Sequence, residues 1–115
     1  MAPASLRIAT ADLTVHLLRE GAGAPLVLLH GWPEFSGVWR RLMPALAASF
    51  DVIAPDLRGF GRTRLISGAP VGATSGDLLA RDLAELLDAL GLQRAAIVSL
   101  VVGAFSAQSF ARLHP

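Results

Sequence analysis

The sequence predicts an α/β fold in which a mostly parallel sheet carries helices on both faces and follows a leading antiparallel hairpin. Apolar runs without polar alternation occur near residues 26–30, 50–54 and 95–101. Such runs are typical of strands that are buried on both faces of a sheet. Segments with the apolar spacing of helices separate the runs, and strands that alternate with helices favour parallel pairing.

The first 20 residues predict the β-hairpin, over residues 6–19. The stretches LRIAT and LTVHLLRE alternate loosely on either side of a polar turn at Thr10-Ala11-Asp12. A loop, EGAGAP, leads from the hairpin to the first buried strand.

The segment after the first buried strand predicts a helix that is capped by Ser36. Its apolar positions at helical spacing are Trp39, Leu42, Met43 and Leu46. Pro44 lies inside this pattern, so we expect the helix to be kinked or shortened there.

A long glycine-rich loop over residues 56–76 follows the second buried strand and leads to a second helix. Ser75 is a candidate cap at the start of this helix, and Gly91 is a candidate for its end. The apolar face of the helix consists of Leu79, Leu83, Leu86, Leu87 and Leu90. A last helix is predicted over residues 103–114, after the third buried strand.

Composition limits the classes of function. A chain of 115 residues that is 53% hydrophobic suits a single globular domain over residues 1–115. The ten basic residues are all arginine and are scattered, which argues against a nucleic-acid surface. The absence of cysteine excludes disulfides and thiolate chemistry. With no metal-ligand spacing, no membrane-length apolar run and no signal-peptide pattern, we expect a cytoplasmic protein without cofactor, metal, nucleic acid or membrane partner.

Three stretches resemble one family. The sequence HGWPEFSGVWR, the sequence APDLRGFG and the final FARLHP are similar to the first half of an α/β-hydrolase, nearest to epoxide hydrolases and related dehalogenases. The resemblance covers residues 13–115 and implies that the domain over residues 1–115 is a partial α/β-hydrolase domain. HGWPE followed by DLRGFG at this distance is a specific combination, whereas either stretch alone is a weak signal.

The resemblance implies an oxyanion hole at His30-Gly31-Trp32-Pro33. The amide of Trp32, together with that of Val102, would face developing negative charge, because oxyanion stabilisation requires fixed donors. Gly31 allows the sharp turn, and a cis bond before Pro33 would direct the Trp32 amide toward the cavity. The competing interpretation is a plain strand-to-helix turn in which His30 satisfies backbone groups.

Asp56 follows the second buried strand, at the sheet edge where α/β proteins bind ligands. We favour a structural interpretation in which Asp56 and Arg58 hydrogen-bond loop backbone, while Gly59 and Gly61 adopt conformations that other residues avoid. A dinucleotide site is excluded, because no G-x-G-x-x-G follows the first parallel strand.

The third buried strand leads into the position of the family's nucleophile. There the family branch has Gly-His-Asp-x-Gly, and this chain has SLVVG at residues 99–103. The nucleophile position is thus Val101, which cannot form a covalent intermediate, and Gly103 alone keeps its identity. Ser99 is a weak substitute, because two residues along a strand place it about 6–7 Å deeper.

Three hypotheses follow. The chain is an inactive hydrolase half-domain that depends on assembly, a hydrolase for epoxides, haloacids or esters that a second chain completes, or a truncated or engineered fragment. The resemblance implies that the catalytic acid, the catalytic histidine and the lid are absent, so that His16 and His114 are structural. The strand at 95–101 would form an uncharged sheet edge, so we expect a homo-oligomer or a partner that supplies further strands. A small-molecule substrate is expected only if the fold is completed.

Overall fold

A computed structural model describes residues 3–31, 34–66, 76–100, 108 and 110–113 of the chain. Within these residues a single sheet contains six strands, in the spatial order β1-β2-β4-β3-β6 with β5 paired to β2. The strands are β1 (Ala4–Ala9), β2 (Leu13–Glu20), β3 (Ala24–Leu29), β4 (Phe50–Pro55), β5 (Arg64–Leu65) and β6 (Ala96–Ser99).

The centre of the sheet is parallel, as the sequence predicts. β3 lies between β4 and β6 and runs parallel to both, with Leu26 opposite Val52 on one side and Ala96 on the other. β1 and β2 form the predicted antiparallel hairpin, and β2 joins it to β4 in antiparallel register. The carboxyl ends of the three parallel strands therefore lie along one edge of the sheet.

Helices cover both faces of the sheet. Helix α2 (Gly76–Ala89) packs Leu83 and Leu86 against one face, which includes Val27 of β3. On the other face, Trp39 and Met43 pack against side chains that include Leu28. Successive side chains of a strand point to opposite faces, so both faces of β3 must be apolar. This explains the continuous apolar run at 26–30.

The helix predicted after β3 is two short elements rather than one. A 3-10 helix spans Ser36–Trp39, and α1 spans Met43–Ala47. Pro44 lies in the first turn of α1, where a backbone N–H would have no hydrogen-bond partner within the helix, so proline is tolerated there. The predicted shortening of the helix at Pro44 is confirmed. The predicted cap is wrong: Ser36 is the first residue of the 3-10 helix, whose preceding residue makes no side-chain capping bond.

The end of α2 is confirmed and the loop before it is corrected. Gly91 has a φ of +73°, and the Leu92 N–H donates to the Leu87 carbonyl, which is a helix end that favours glycine. Inside the loop predicted at 56–76, the two residues of β5 pair with Leu13 and Thr14. The candidate cap Ser75 lies outside the described residues.

β6 ends the sheet on the side away from the hairpin. It pairs with β3, and no other strand in the described part of the chain lies against its opposite edge. Val98 is 46% exposed and Leu100 is 42% exposed. The prediction of a strand buried on both faces at 95–101 is therefore wrong, because β6 is the last strand of the described sheet. Of the last predicted helix, residues 108 and 110–113 are described and are helical, whereas His114 lies outside the described residues.

No helix within the described ranges is both long and apolar enough to cross a bilayer. The predicted cytoplasmic location stays a prediction.

Candidate active site

Two loops meet where the parallel strands β3 and β4 end, and His30 joins them. The His30 side chain is fully buried. Its Nε2 accepts a hydrogen bond of 3.0 Å from the Leu57 N–H, and its Nδ1 lies 2.8 Å from the Gly31 carbonyl oxygen. One ring nitrogen therefore accepts and the other donates, which assigns the neutral tautomer with the proton on Nδ1. The Phe60 ring packs edge-on against the imidazole, with centroids 5.2 Å apart.

Glu34 closes the loop after β3. Its Oε1 accepts the Gly31 N–H at 3.0 Å, and its own N–H donates to the Gly31 carbonyl at 3.0 Å. Both peptide groups of Gly31 are thus held in place. Trp32 and Pro33, with the predicted cis bond between them, lie outside the described residues. Glu34 belongs to the stretch HGWPE, but nothing in that stretch indicated its contacts with Gly31.

Asp56 organises the loop after β4. One carboxylate oxygen, Oδ1, accepts the Ser36 N–H at 2.7 Å. The other, Oδ2, accepts the Arg62 N–H at 3.0 Å and lies 2.7 Å from His16 Nδ1. Burial alone would raise the pKa of Asp56, but the hydrogen bonds from Arg62, Ser36 and His16 outweigh it and hold the pKa below its usual value. Asp56 is therefore a buried carboxylate that docks three separate segments.

The end of β6 lies beside this pair of loops. Ser99 is opposite Leu29 in the sheet, and the Leu100 N–H donates to the Leu29 carbonyl at 3.1 Å. Because Leu29 immediately precedes His30, Leu100 lies beside the start of the His30 loop. Among the described residues no hydrogen bond joins the Ser99 hydroxyl to a histidine or a carboxylate. Val101, Val102 and Gly103 lie outside the described residues.

A family model for the alpha/beta hydrolase fold matches residues 24–115. The chain belongs to the α/β-hydrolase family. It is 43% identical over 84 residues to a soluble epoxide hydrolase of Corynebacterium sp. (strain C12), covering 73% of this chain and 28% of the relative. It is 36% identical over 105 residues to a fluoroacetate dehalogenase of Burkholderia sp., covering 90% of this chain and 34% of the relative.

Solved structures agree on the fold. A Pseudomonas aeruginosa protein provisionally assigned as an epoxide hydrolase superposes with a TM-score of 0.90 at 35% identity, covering 98% of this chain and 38% of that one. The chain therefore spans about a third of the length of the relatives it matches. It is an epoxide-hydrolase-like portion of an α/β-hydrolase, as the resemblance implied.

Within this α/β-hydrolase portion, Asp56 behaves as predicted and Arg58 does not. Asp56 accepts hydrogen bonds from loop backbone, as expected. Arg58 instead makes two bonds of 2.8 Å to the carboxylate of Asp82 on α2, so the prediction of backbone bonding is wrong. The physical reason is that α2 brings a carboxylate over the loop, and a guanidinium matches two carboxylate oxygens better than single carbonyls.

His16 is the site residue whose connections the sequence did not reveal. It is buried in β2, and besides contacting Asp56 its Nε2 lies 2.7 Å from the Ser5 hydroxyl. Its N–H donates to the Thr63 hydroxyl, which in turn donates to the Asp56 carbonyl. A single histidine inside an apolar strand pattern was the available signal, since a buried imidazole needs polar partners.

Both glycines of the Asp56 loop have the predicted positive φ, +84° at Gly59 and +53° at Gly61. A Cβ at Gly61 would overlap the Asp56 carboxyl group, whereas a Cβ at Gly59 has no atom within 4 Å. We expect Gly59→Ala to cost about 1–2 kcal/mol of unfolding free energy through backbone strain. Gly61→Ala should cost a further 1–3 kcal/mol or so, because the side chains must shift. Denaturant unfolding of both variants measures the difference, and equal losses would mean that the Asp56 carboxyl moves freely aside.

The described residues of this α/β-hydrolase contain no group of three or more histidine or carboxylate side chains that could hold a metal ion.

Proposed function

We propose that this chain forms the oxyanion-loop part of an epoxide-hydrolase-like fold and does not catalyse hydrolysis by itself. The observation that supports this proposal is the bond between Leu100 and Leu29, which brings the end of β6 beside His30. By similarity to the family, the next residue occupies the nucleophile position. That residue is Val101, whose side chain offers neither a lone pair nor an ionisable proton.

In this proposal the loop after β3 retains its binding role. The amides of Trp32 and Val102 would act as oxyanion donors in the completed fold. The contacts on either side support such a role for Trp32, because His30 fixes the start of the loop and Glu34 holds both peptide groups of Gly31. Preorganised donors of this kind cost no reorganisation when charge develops.

We further propose that the chain depends on assembly, with a second copy or with a chain that supplies further strands. The outer edge of β6 supports this part, since no strand of the described residues lies against it and its sequence AIVS has no charge and no proline. If a second chain supplies the missing catalytic groups, the assembly is an epoxide, haloacid or ester hydrolase. A truncated or engineered fragment is the remaining alternative, and it would share the inactivity but need no natural partner.

We expect the purified chain to turn over neither an epoxide, nor a haloacid, nor a simple ester above the rate in buffer. Turnover assays with one substrate of each class test this directly. Activity that Ser99→Ala abolishes would contradict the proposal and assign the nucleophile to Ser99.

We also expect Val101→Asp to restore no turnover. A carboxyl introduced after an apolar strand stays protonated if it is desolvated, and the family's catalytic histidine is not supplied. The same three assays apply to this variant. Hydrolysis by Val101→Asp without an added chain would show that the groups needed for the second step are already present.

A further inference from the structure

Ser5, His16 and Asp56 are joined by a continuous series of hydrogen bonds in which β6 takes no part. The Ser5 Oγ lies 2.7 Å from His16 Nε2, and His16 Nδ1 lies 2.7 Å from Asp56 Oδ2. Ser5 on β1 is opposite Leu18 on β2. His16 lies two residues before Leu18 on the same face of β2, so it is the diagonal neighbour of Ser5. Asp56 follows β4, which pairs with β2. The sheet itself therefore brings the three side chains together.

The direction of each hydrogen bond follows from Asp56. As a carboxylate it only accepts hydrogen bonds, so His16 must carry a proton on Nδ1 and donate it. When the imidazole is neutral, its lone pair is on Nε2, and the Ser5 hydroxyl donates a hydrogen bond to it. The backbone amides of Ser36 and Arg62 fix the carboxylate in turn, so that Asp56 and the imidazole are both held in orientation.

These are the roles of nucleophile, base and orienting acid, which are identified by geometry and not by position in a sequence. Ser5 is exposed on an edge strand, whereas His16 and Asp56 are buried. A reagent can therefore reach the hydroxyl while the base behind it is shielded from water. We propose that Ser5 is an activated nucleophile that captures activated phosphonyl and acyl groups, independently of the proposed hydrolase function.

With a fluorophosphonate, the reaction is a single displacement. The Ser5 oxygen attacks phosphorus, a P–O bond forms, the P–F bond breaks and fluoride leaves with the bonding electron pair. The hydroxyl proton passes to His16 Nε2, and the resulting imidazolium stays paired with the Asp56 carboxylate. The product is a stable phosphonylated serine, so the proposal requires stoichiometric modification and no turnover.

The first experiment treats the intact chain with a fluorophosphonate and locates the adduct by peptide mass spectrometry. We expect Ser5 to be labelled at least ~10-fold faster than Ser49, since assistance by a positioned base contributes about 10²–10⁴-fold in enzymes. Ser49 is a matched control, as an exposed serine in the turn after α1. The adduct should vanish in Ser5→Ala and persist in Ser49→Ala. Labelling of Ser5 no faster than Ser49 in the folded chain would overturn the proposal.

A second experiment uses the absence of cysteine from the chain. Ser5→Cys and Ser49→Cys each introduce one exposed thiol with little risk to the core. We expect iodoacetamide to alkylate the Ser5→Cys variant at least ~10-fold faster near neutral pH, because a histidine partner favours the thiolate. The two rates should converge in concentrated urea, and His16→Gln in the Ser5→Cys background should remove the native advantage. Equal rates in the native state would overturn the proposal, whatever the fluorophosphonate result.

Discussion

Asp56→Asn is expected to lower the free energy of unfolding by about 3–5 kcal/mol, the loss typical of breaking a buried charged network. The substitution keeps the shape of the side chain but replaces one acceptor oxygen by an NH2 donor. One carboxylate oxygen of Asp56 faces the Ser36 N–H and the other faces the Arg62 N–H, so either orientation of the amide places donor against donor. Because a domain of this size is stable by only ~5–15 kcal/mol, the variant should be close to unfolding.

Urea denaturation near neutral pH measures this loss, with Asp77→Asn as the matched control. Asp77 pairs with Arg112, and both side chains are more than half exposed. We expect that substitution to cost at most about 1 kcal/mol, as exposed pairs do. Losses of similar size in the two variants would mean that Asp56 does not hold its three segments together.

The same carboxylate predicts a pH dependence. The pKa of Asp56 is lowered in the folded chain, so the unfolded state binds its proton more readily. The stabilisation from Asp56 is therefore fully present above the ordinary aspartate pKa of about 3.9 and is lost as the pH falls through the lower folded-state value. Accordingly, the stability difference between the parent chain and Asp56→Asn should shrink as the pH is lowered below ~4.

Strands β3 and β4 were predictable because their burial on both faces is encoded locally. Val27 and Leu28 face opposite sides of the sheet and are both fully buried, which only an uninterrupted apolar run can provide. The interruption of the helix after Trp39 was harder to predict from the sequence. Apolar residues at spacings of three and four suit a continuous helix, and they suit equally a 3-10 turn followed by a new helix at Met43. Two-residue β5 carries no pattern at all, because tertiary pairing with β2 alone defines it.

The candidate site likewise has features that the sequence indicates locally and features that it does not. The loops at His30 and Asp56 could be located from short motifs, since their glycines and their positions after apolar strands are local features. The partners could not, because they are distant in sequence. His16 lies 40 residues before Asp56, and Arg58 lies 24 residues before Asp82. Nothing in a lone histidine or arginine indicates which carboxylate the fold will bring to it.

Asp56 consequently has two roles, one in the loop after β3 and one in the hydrogen bonds that lead to Ser5. Its Oδ1 bond to Ser36 anchors the segment after the His30 loop, and its Oδ2 contact orients His16 toward Ser5. Loss of Asp56 should therefore disturb the loop and the Ser5 hydroxyl together. Ser5→Ala removes only the exposed end of the chain of hydrogen bonds, so it tests reactivity without the cost in stability.

The two edges of the sheet differ in a way that predicts how the chain assembles. β1 carries Arg7, a charged side chain of the kind that discourages edge-to-edge pairing, whereas β6 has no charge and exposes Val98, with the exposed Leu100 directly after it. An edge strand with unpaired backbone groups and apolar side chains recruits another strand. We therefore expect the purified chain to self-associate through β6, and light scattering should report at least twice the monomer mass of 12.0 kDa.

Val98→Lys should weaken this association at least ~10-fold, equivalent to about 1.4 kcal/mol, because pairing would bring a charge against an apolar edge. Ala4→Lys places the same charge on β1, at the opposite end of the sheet, and should leave the association unchanged. Light scattering across a dilution series of the three proteins measures the association constants. A monomer that unfolds cooperatively at every concentration, or equal effects of the two lysines, would contradict assembly through β6. Loss of self-association in Val98→Lys alone would place the contact on β6, the strand that pairs with β3 just before the His30 loop.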